Sequence, residues 1–312
     1  MKSIDLMVTL WPSFPHFPHF ANDPRLSGIR LNSAMMSNPE LETELATIGA
    51  AGSTNPLWFD IKGRQMRVLE VHPDPHNLDI TLNHPISAKT PTVVLFKAGA
   101  DRAVLARIED SGRRLIFDGG PRYKVKPGES LHIRDPSLVV HGPLFVDAEL
   151  AKIEKVKEAG LNRWFLSYVE EQDDVDQFLE LVGHDAEVML KIESKRGLQF
   201  VANSFRKEPN LTLVAARGDL YVEIDRPHQI AEALRLIIDR DPEALVGSRI
   251  MLSTIFDAVP SCADFLDIAW LIDAGYRRMM LCDELCLKED LLARAVNAFD
   301  AFRSDYMFNS NG

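Results

Sequence analysis

Short apolar runs alternate with segments of helical periodicity along most of the chain, and this alternation constrains the fold more than any other feature. The runs that predict strands lie at residues 4–10, 28–32, 56–61, 162–168, 187–192, 211–216, 249–254 and 277–283. Helical periodicity occupies residues 39–52, 147–160, 173–183, 228–240 and 261–275. Strands separated by helices in this way predict an α/β fold, a (β/α)8 TIM barrel.

Residues 68–143 interrupt the alternation. They contain short strand-like runs separated by Gly, Pro and Asp, without an amphipathic segment of helix length. We interpret them as a small β domain inserted after the third barrel strand, so that residues 1–67 and 144–312 form the barrel. Since chemistry at the strand ends needs protection from water, we expect the insertion to be a lid hinged near residues 68 and 143.

Charge and cysteine usage exclude several classes of partner. The chain has 46 acidic and 35 basic residues, a formal charge of -11 and no block rich in Lys or Arg, so nucleic acid and anionic membranes are not expected partners. Cys262, Cys282 and Cys286 cannot all pair with one another, and no apolar stretch of membrane-spanning length or secretory type is present. These features predict a cytoplasmic protein, and we interpret Cys282 and Cys286 in "CDELC" as buried free thiols and not as a metal site.

Polar and charged residues cluster at the predicted carboxyl ends of the strands, where TIM barrels place their active sites. They are Arg30, Asn32, Asp60, Lys62, Ser167, Lys191, Glu193, Arg217, Asp219, Ser253 and Thr254. Glu193 and Asp219 would offer two carboxylates to Mg2+ or Mn2+, with Lys191 pointing the same way as Glu193 along its strand. The alternative is a ring of structural salt bridges that closes the barrel.

These residues lie in motifs that resemble the pyruvate kinase family. The matching segments, in order, are "GIRLN" (28–32), "DIKGRQMR" (60–67), "FLSY" (165–168), "LKIESKRG" (190–197), "VAARGDLYVEI" (214–224), "VPSCADFLDIAWLIDAG" (259–275) and "MMLCDE" (279–284). They cover six of the eight predicted strands and one predicted helix, so the resemblance extends over the barrel.

The resemblance implies a role for each matching position. Lys191 would lie at the transferring phosphoryl group, Glu193 and Asp219 would bind the divalent metal, and Arg30 would contact a phosphate. Gly218 would open the backbone to the substrate carboxylate, and Ser253 or Thr254 would lie near the carbon that gains or loses a proton. The further substrate contacts implied are Lys62, Arg67 and Ser167. Arg217 would be a structural or interface residue.

The departures from the family pattern concern potassium and the nucleotide. Asn32 and Asp60 of the family's monovalent-cation site are present, but Ala34 and Ile61 replace its serine and threonine. Two of four oxygen ligands are therefore lost, and potassium is not expected to matter. Gln65 replaces a glutamate and Met35 a histidine near the nucleotide. We expect no counterpart of the family's carboxyl-terminal domain with its effector pocket.

Two enzymatic functions remain open at this point. The first is a pyruvate kinase-type phosphotransferase that acts on phosphoenolpyruvate or pyruvate with ADP or ATP. The second is a metal-dependent lyase, decarboxylase or aldolase that works through the enolate of a 2-oxo acid without a nucleotide. A third hypothesis is a binding protein without catalytic activity. A homo-oligomer is compatible with all three hypotheses.

The motif "FPHFPHF" (14–20) follows the first predicted strand. His16 and His19 could reach the barrel mouth as acid or base groups. The favoured interpretation is a proline-stiffened loop whose phenylalanines pack on the barrel rim.

Overall fold

The computed structural model describes residues 4–36, 38–48 and 52–309. The strands in these ranges are, in chain order, β1 (Asp5–Thr9), β2 (Gly28–Asn32), β3 (Leu57–Ile61), β4 (Val68–His72), β5 (Asp79–Leu82), β6 (Ile86–Ser87), β7 (Thr92–Phe96), β8 (Asp101–Glu109), β9 (Arg114–Asp118), β10 (Leu131–Ile133), β11 (Val139–Val140), β12 (Arg163–Leu166), β13 (Glu187–Ile192), β14 (Leu211–Ala216), β15 (Leu245–Gly247) and β16 (Arg278–Met280). The α-helices are α1 (Phe17–Ala21), α2 (Asn38–Ile48), α3 (Asp147–Glu158), α4 (Gln172–Val182), α5 (Lys195–Asn203), α6 (Arg217–Glu223), α7 (Ile230–Arg240), α8 (Cys262–Asp273), α9 (Asp283–Cys286) and α10 (Glu289–Asn309).

Eight strands close into a parallel barrel, which confirms the TIM-barrel prediction. Their order around the barrel is β1, β2, β3, β12, β13, β14, β15 and β16, and β16 pairs with β1. Apolar side chains from these strands form one cluster (Met7, Trp58, Phe165, Met189, Val214, Leu245 and Met280), and a larger cluster joins the strands to the helices. Burial on both faces explains why the strand sequences are nearly continuous apolar runs.

The prediction for the seventh strand is wrong. β15 spans Leu245–Gly247, whereas Leu252–Ile255 forms a turn of 3-10 helix. Ser248, Arg249 and Met251 have φ values of 67°, 60° and 56°, and this left-handed backbone cannot continue a strand. Ile250 and Met251 are fully buried in the turn, so the run is apolar because it packs into the core and not because it is a strand.

The sequence Arg217-Gly218-Asp219 forms the first turn of α6, directly after β14. No helix is predicted for the residues that follow, but they complete the short helix α6. Of the periodic segments predicted to be helical, α2, α3, α4, α7 and α8 confirm the pattern. Residues 49–51, at the end of the first of these segments, lie outside the described residues.

The chain between β3 and α3 forms an antiparallel sheet, as the composition of this region predicts. Its strand order is β10, β7, β8, β9, β5 and β4, and β6 pairs separately with β11. The sheet has an apolar core of its own, and its edge strand β10 lies against α6 of the barrel. The exact limits of this domain, 68 and 143, stay a prediction.

The segment after β1 packs on the barrel, as the favoured interpretation of "FPHFPHF" states, but Phe17–Ala21 form the short helix α1 and not a loop. Phe17 and Phe20 are buried, and the His16 ring contacts the backbone carbonyl of Cys286 through Nε2 at 2.9 Å. His19 is exposed and pairs with Glu289. Among the helices described, none combines the length and the apolar character that are needed to cross a bilayer.

Candidate active site

A cavity of about 380 Å³ opens at the carboxyl ends of the barrel strands. The predicted site residues that line it are Arg30, Asn32, Lys62, Arg67, Lys191, Glu193, Gly218 and Asp219. Asp60 and Ser167 are buried and contact these lining residues. The parallel barrel thus brings together residues that are up to 189 positions apart in the chain, from Arg30 to Asp219.

Asp60, at the end of β3, is the centre of the ionic network. Its Oδ1 atom accepts hydrogen bonds from Lys62 Nζ (2.9 Å) and Ser167 Oγ (3.0 Å). Its Oδ2 atom accepts from Arg30 Nε (2.7 Å) and from Lys191 Nζ (3.4 Å). Although burial acts in the opposite direction, the cations Lys191, Lys62 and Arg30 hold the pKa of Asp60 well below its usual value.

Lys191 and Glu193 lie two residues apart on β13 and at its end, so their side chains point to the same face. Lys191 Nζ lies 3.1 Å from Glu193 Oε1 and donates to Ser167 Oγ at 3.0 Å. Burial works against the charged ammonium, but Asp60 and Glu193 outweigh it and raise the pKa of Lys191. The ammonium therefore carries its charge at neutral pH.

Glu193 and Asp219 form a pair of carboxylates at the cavity wall. Burial raises the pKa of Glu193, and the negative charges of Asp219 and Asp60 act in the same direction against Lys191. Glu193 Oε2 accepts a hydrogen bond from the Tyr168 backbone N–H at 2.8 Å. A buried and a half-buried carboxylate that repel each other beside an open cavity suit a divalent cation, which would relieve this repulsion.

The residues at this cavity could supply only part of the ligands of a metal ion. Within the described ranges, no group of three or more His, Cys, Asp or Glu side chains is arranged to hold a metal. Mg2+ commonly takes only one or two carboxylates from the protein and completes its shell with water and substrate oxygens. Glu193 and Asp219 meet that requirement.

His132 reaches Asp219 from the inserted sheet and was not identified from the sequence. Its Nε2 atom lies 3.4 Å from Asp219 Oδ1, and its Nδ1 atom lies 2.6 Å from Glu223 Oε1. Burial opposes protonation, but the two carboxylates raise the pKa of His132 to about 9. His132 in turn lowers the pKa of Asp219 against the effect of burial. No local sequence signal could have revealed this contact, because it joins residues 87 positions apart.

Gln65 bridges the same carboxylate to a cation. Its Nε2 atom donates to Asp219 Oδ2 at 3.3 Å, and its Oε1 atom accepts from Arg67 Nε at 3.0 Å and Nη2 at 2.6 Å. An amide can donate and accept at once, whereas a carboxylate would repel Asp219 and an ammonium could not accept from Arg67. This geometry accounts for a neutral residue at position 65.

Asp283, the first residue of α9, is the second site residue missed in the sequence. Its Oδ1 atom accepts from Arg30 Nη1 at 2.7 Å and from Thr9 Oγ1 at 2.9 Å. Its Oδ2 atom accepts from Asn32 Nδ2 at 2.8 Å. An acidic residue directly after the last predicted strand, in "MMLCDE", was the available signal.

Of the hydroxyl residues after the seventh strand, Ser248 lines the cavity, whereas Ser253 and Thr254 do not. Ser248, directly after β15, lines the cavity, and a Cβ atom added to Gly218 would lie 3.3 Å from its Oγ atom. Ser253 Oγ instead donates to Asp264 of α8. Thr254 is fully buried, and its hydroxyl has no hydrogen-bond partner among the described residues. The misplacement of the seventh strand is the reason that Ser248 was overlooked.

Arg217 does not line the cavity and makes structural contacts instead, as expected. Its Nε and Nη2 atoms donate to the Ser248 carbonyl at 3.1 and 2.9 Å, and its Nη1 atom pairs with Asp267 at 2.8 Å. It thereby fixes the left-handed turn after β15 against α8.

Comparison with known proteins supports the family resemblance. No protein-family model matches the chain. It is 25% identical to a pyruvate kinase of Methanocaldococcus jannaschii over 301 aligned residues, which cover 91% of this chain and 65% of that protein. It is 26% identical to a pyruvate kinase of Methylorubrum extorquens over 233 residues, which cover 72% of this chain and 47% of that protein. The chain thus spans less than two thirds of the length of these relatives.

We predict that Asp60→Asn destabilises the protein by about 3 to 5 kcal/mol, because it removes the carboxylate that buried Arg30, Lys62 and Lys191 share. The measurement is denaturant unfolding followed by circular dichroism. Asp225→Asn is the matched control, since Asp225 forms an exposed pair with Lys195, and a change below about 0.5 kcal/mol is expected. Equal unfolding midpoints for both variants would contradict the central role of Asp60.

Proposed function

Proceeding from a chain that is pyruvate kinase-like over most of its length, we propose that it is a divalent-metal-dependent enzyme acting on phosphoenolpyruvate, pyruvate or a related 2-oxo acid. The reaction proposed first is phosphoryl transfer with a nucleotide. The observation that carries the proposal is the placement of the Lys191 ammonium beside Glu193 in the cavity that Asp219 also lines.

Each lining group has a task in this proposal. Glu193 and Asp219 would hold Mg2+ or Mn2+, which supplies neutralisation of negative charge when bound. The Lys191 ammonium is held in place by Asp60 and Ser167, so it can stabilise charge that develops on the reacting oxygen without reorganising. Arg67 and Lys62 offer further positive charge to the substrate.

Ser248, and not Ser253 or Thr254, presents its hydroxyl to the cavity, so we assign it to the proton that the substrate carbon gains or loses. Its neighbour Gly218 has no side chain, and this leaves the backbone of the first turn of α6 open to the substrate carboxylate. A larger residue at position 218 would press against the Ser248 hydroxyl.

We further propose that the inserted sheet acts as a lid over the cavity. The support is that His132 of β10 contacts Asp219 and Glu223, and that the Arg134 Nε atom donates to the Val222 carbonyl. Ala98, between β7 and β8 of the insertion, also lines the cavity. Such a lid would exclude water during phosphoryl or enolate chemistry.

One observation favours the second candidate, a metal-dependent lyase, decarboxylase or aldolase that works through an enolate without a nucleotide. Arg30, the implied phosphate contact, already pairs with both Asp60 and Asp283. The positive charge of Arg30, which a phosphate would need, is therefore already neutralised by two carboxylates of the protein.

Calorimetric titration of ADP and then of pyruvate, in the presence of Mg2+, distinguishes the two candidates. A phosphotransferase is expected to bind both ligands, whereas the lyase binds pyruvate alone. If the protein binds neither ligand, both candidates are wrong.

We predict that Lys191→Ala slows exchange of the pyruvate methyl protons in deuterated water about 100- to 1000-fold, because it removes a contact made in the transition state. Pyruvate affinity should change little. Proton NMR measures the exchange, and Lys195→Ala, which alters an exposed lysine paired with Asp225, is the control. Exchange at the wild-type rate would mean that the site is misplaced, and loss of the folded state would favour a structural salt bridge.

We also predict that activity requires a divalent cation and responds little to potassium. Ala34 and Ile61 supply no side-chain oxygen, so two of the four oxygen ligands of the family's monovalent-cation site are missing. The test is the rate of proton exchange at constant ionic strength with potassium or tetramethylammonium, and with a chelator. Strong activation by potassium would show that the residual site at Asn32 and Asp60 is functional.

A further inference from the structure

Arg30 contacts two carboxylates at once. Its Nε and Nη2 atoms lie 2.7 and 2.6 Å from Asp60 Oδ2, and its Nη1 atom lies 2.7 Å from Asp283 Oδ1. The guanidinium is almost fully buried, with 9% of its side chain exposed. Each of its three nitrogens therefore has an acidic partner within the protein.

The Asp283 carboxylate is fixed in this position and faces the cavity. Thr9 Oγ1 and Asn32 Nδ2 donate to its two oxygens, at 2.9 and 2.8 Å. Its side chain is 29% exposed, whereas that of Asp60 is fully buried. Asp283 thus occupies the cavity side of Arg30, where a negatively charged group of a ligand would have to approach.

The charges that touch one another in the site are balanced without a ligand. Arg30, Lys62 and Lys191 contact the carboxylates of Asp60, Glu193 and Asp283. Three cations thus face three carboxylates. His132 lies beside both Asp219 and Glu223, and Arg67, which also lines the cavity, contacts Gln65 and the Gly128 carbonyl.

A divalent cation would add two positive charges to this balanced site. The enolate of a 2-oxo acid has two negative charges, one on its carboxylate and one on the enolate oxygen, and would restore the balance. A phosphorylated enol has a carboxylate and a phosphate that itself carries almost two charges at neutral pH. The additional negative charge would lie against Asp283 if the phosphate approached Arg30.

We propose that Asp283 is a specificity-determining residue: it fills the anion position at Arg30, so that the cavity favours the enolate of an unphosphorylated 2-oxo acid over a phosphorylated enol. The naming of the ligand rests on the second candidate of the proposed function, the enolate chemistry without a nucleotide. The assignment of Asp283 to the anion position rests on the contacts alone.

The test is calorimetric titration of the full chain, with Mn2+ present, by pyruvate, phosphoenolpyruvate and inorganic phosphate. Asp283→Asn keeps the shape of the side chain and removes its charge, and Asp283→Gly empties the position. We expect the affinity for phosphoenolpyruvate and phosphate to rise at least about tenfold in both variants, as for removal of a like charge at a binding site. Pyruvate affinity should change by less than about threefold.

Glu284→Gln is the matched control. Glu284 also lines the cavity and is the adjacent acidic residue, but its side chain is exposed and Arg30 forms its ion pairs with Asp60 and Asp283. This variant should not gain affinity for either phosphate-containing ligand. A gain as large as that of Asp283→Asn would attribute the effect to overall charge and overturn the proposal.

The remaining outcomes separate this proposal from the proposed function. Unchanged phosphate and phosphoenolpyruvate affinities in folded Asp283 variants, or tight binding of phosphoenolpyruvate by the wild type, overturn the role of Asp283. Unfolding of both variants, detected by circular dichroism, overturns it in favour of a purely structural pair. A gain in phosphate affinity in a protein that neither binds pyruvate nor exchanges its protons supports Asp283 and refutes the enolate chemistry.

Discussion

The shared carboxylate of Asp60 is the interaction on which the rest of the site depends. A carboxylate with no solvent exposure must be compensated by cations or hydrogen bonds. Arg30, Lys62 and Lys191 provide this compensation from β2, from the end of β3 and from β13. Because Asp60 orients all three cations, their positions at the cavity are determined by the barrel and need no ligand.

From this centre, a continuous series of contacts extends to the inserted sheet. Lys191 pairs with Glu193, Glu193 accepts from the Tyr168 backbone, and the Tyr168 hydroxyl lies 3.3 Å from His132 Nδ1. His132 then contacts Asp219. The proposed metal ligands therefore lie between the barrel network and the lid contact, so movement of the sheet would alter the surroundings of Asp219. The inserted sheet and the electrostatics of the proposed metal site are therefore physically linked.

Two further residues at the cavity limit its positive charge or leave it unchanged. Asp283 compensates Arg30, and Gln65 satisfies Asp219 and Arg67 without adding charge. Asp283 reduces the excess of positive charge that a phosphate-binding site requires, whereas Gln65 leaves the net charge unchanged. The chain thus combines a pyruvate kinase-like arrangement at Lys191 with a more nearly neutral surrounding. This combination is the physical reason to consider enolate chemistry on unphosphorylated substrates beside phosphoryl transfer.

The sequence by itself determined the barrel and most of its mouth. Strands buried on both faces need continuous apolar runs, and polar residues at the ends of such runs must meet at one edge of a parallel barrel. Lys191, Glu193 and Asp219 could be placed together on this basis. The seventh strand failed, because the apolar run at 249–254 also suits a buried turn, and local composition does not distinguish the two.

Only the tertiary structure decided which partners each charge would have. The contact of His132 with Asp219 and the contact of Asp283 with Arg30 join residues 87 and 253 positions apart, and neither is encoded in a local pattern. Ser248 entered the site because β15 ends one residue before it. Periodicity and spacing in the sequence specify where each strand ends. Which groups compensate a buried charge depends on the distant residues that the closed barrel brings within hydrogen-bonding distance.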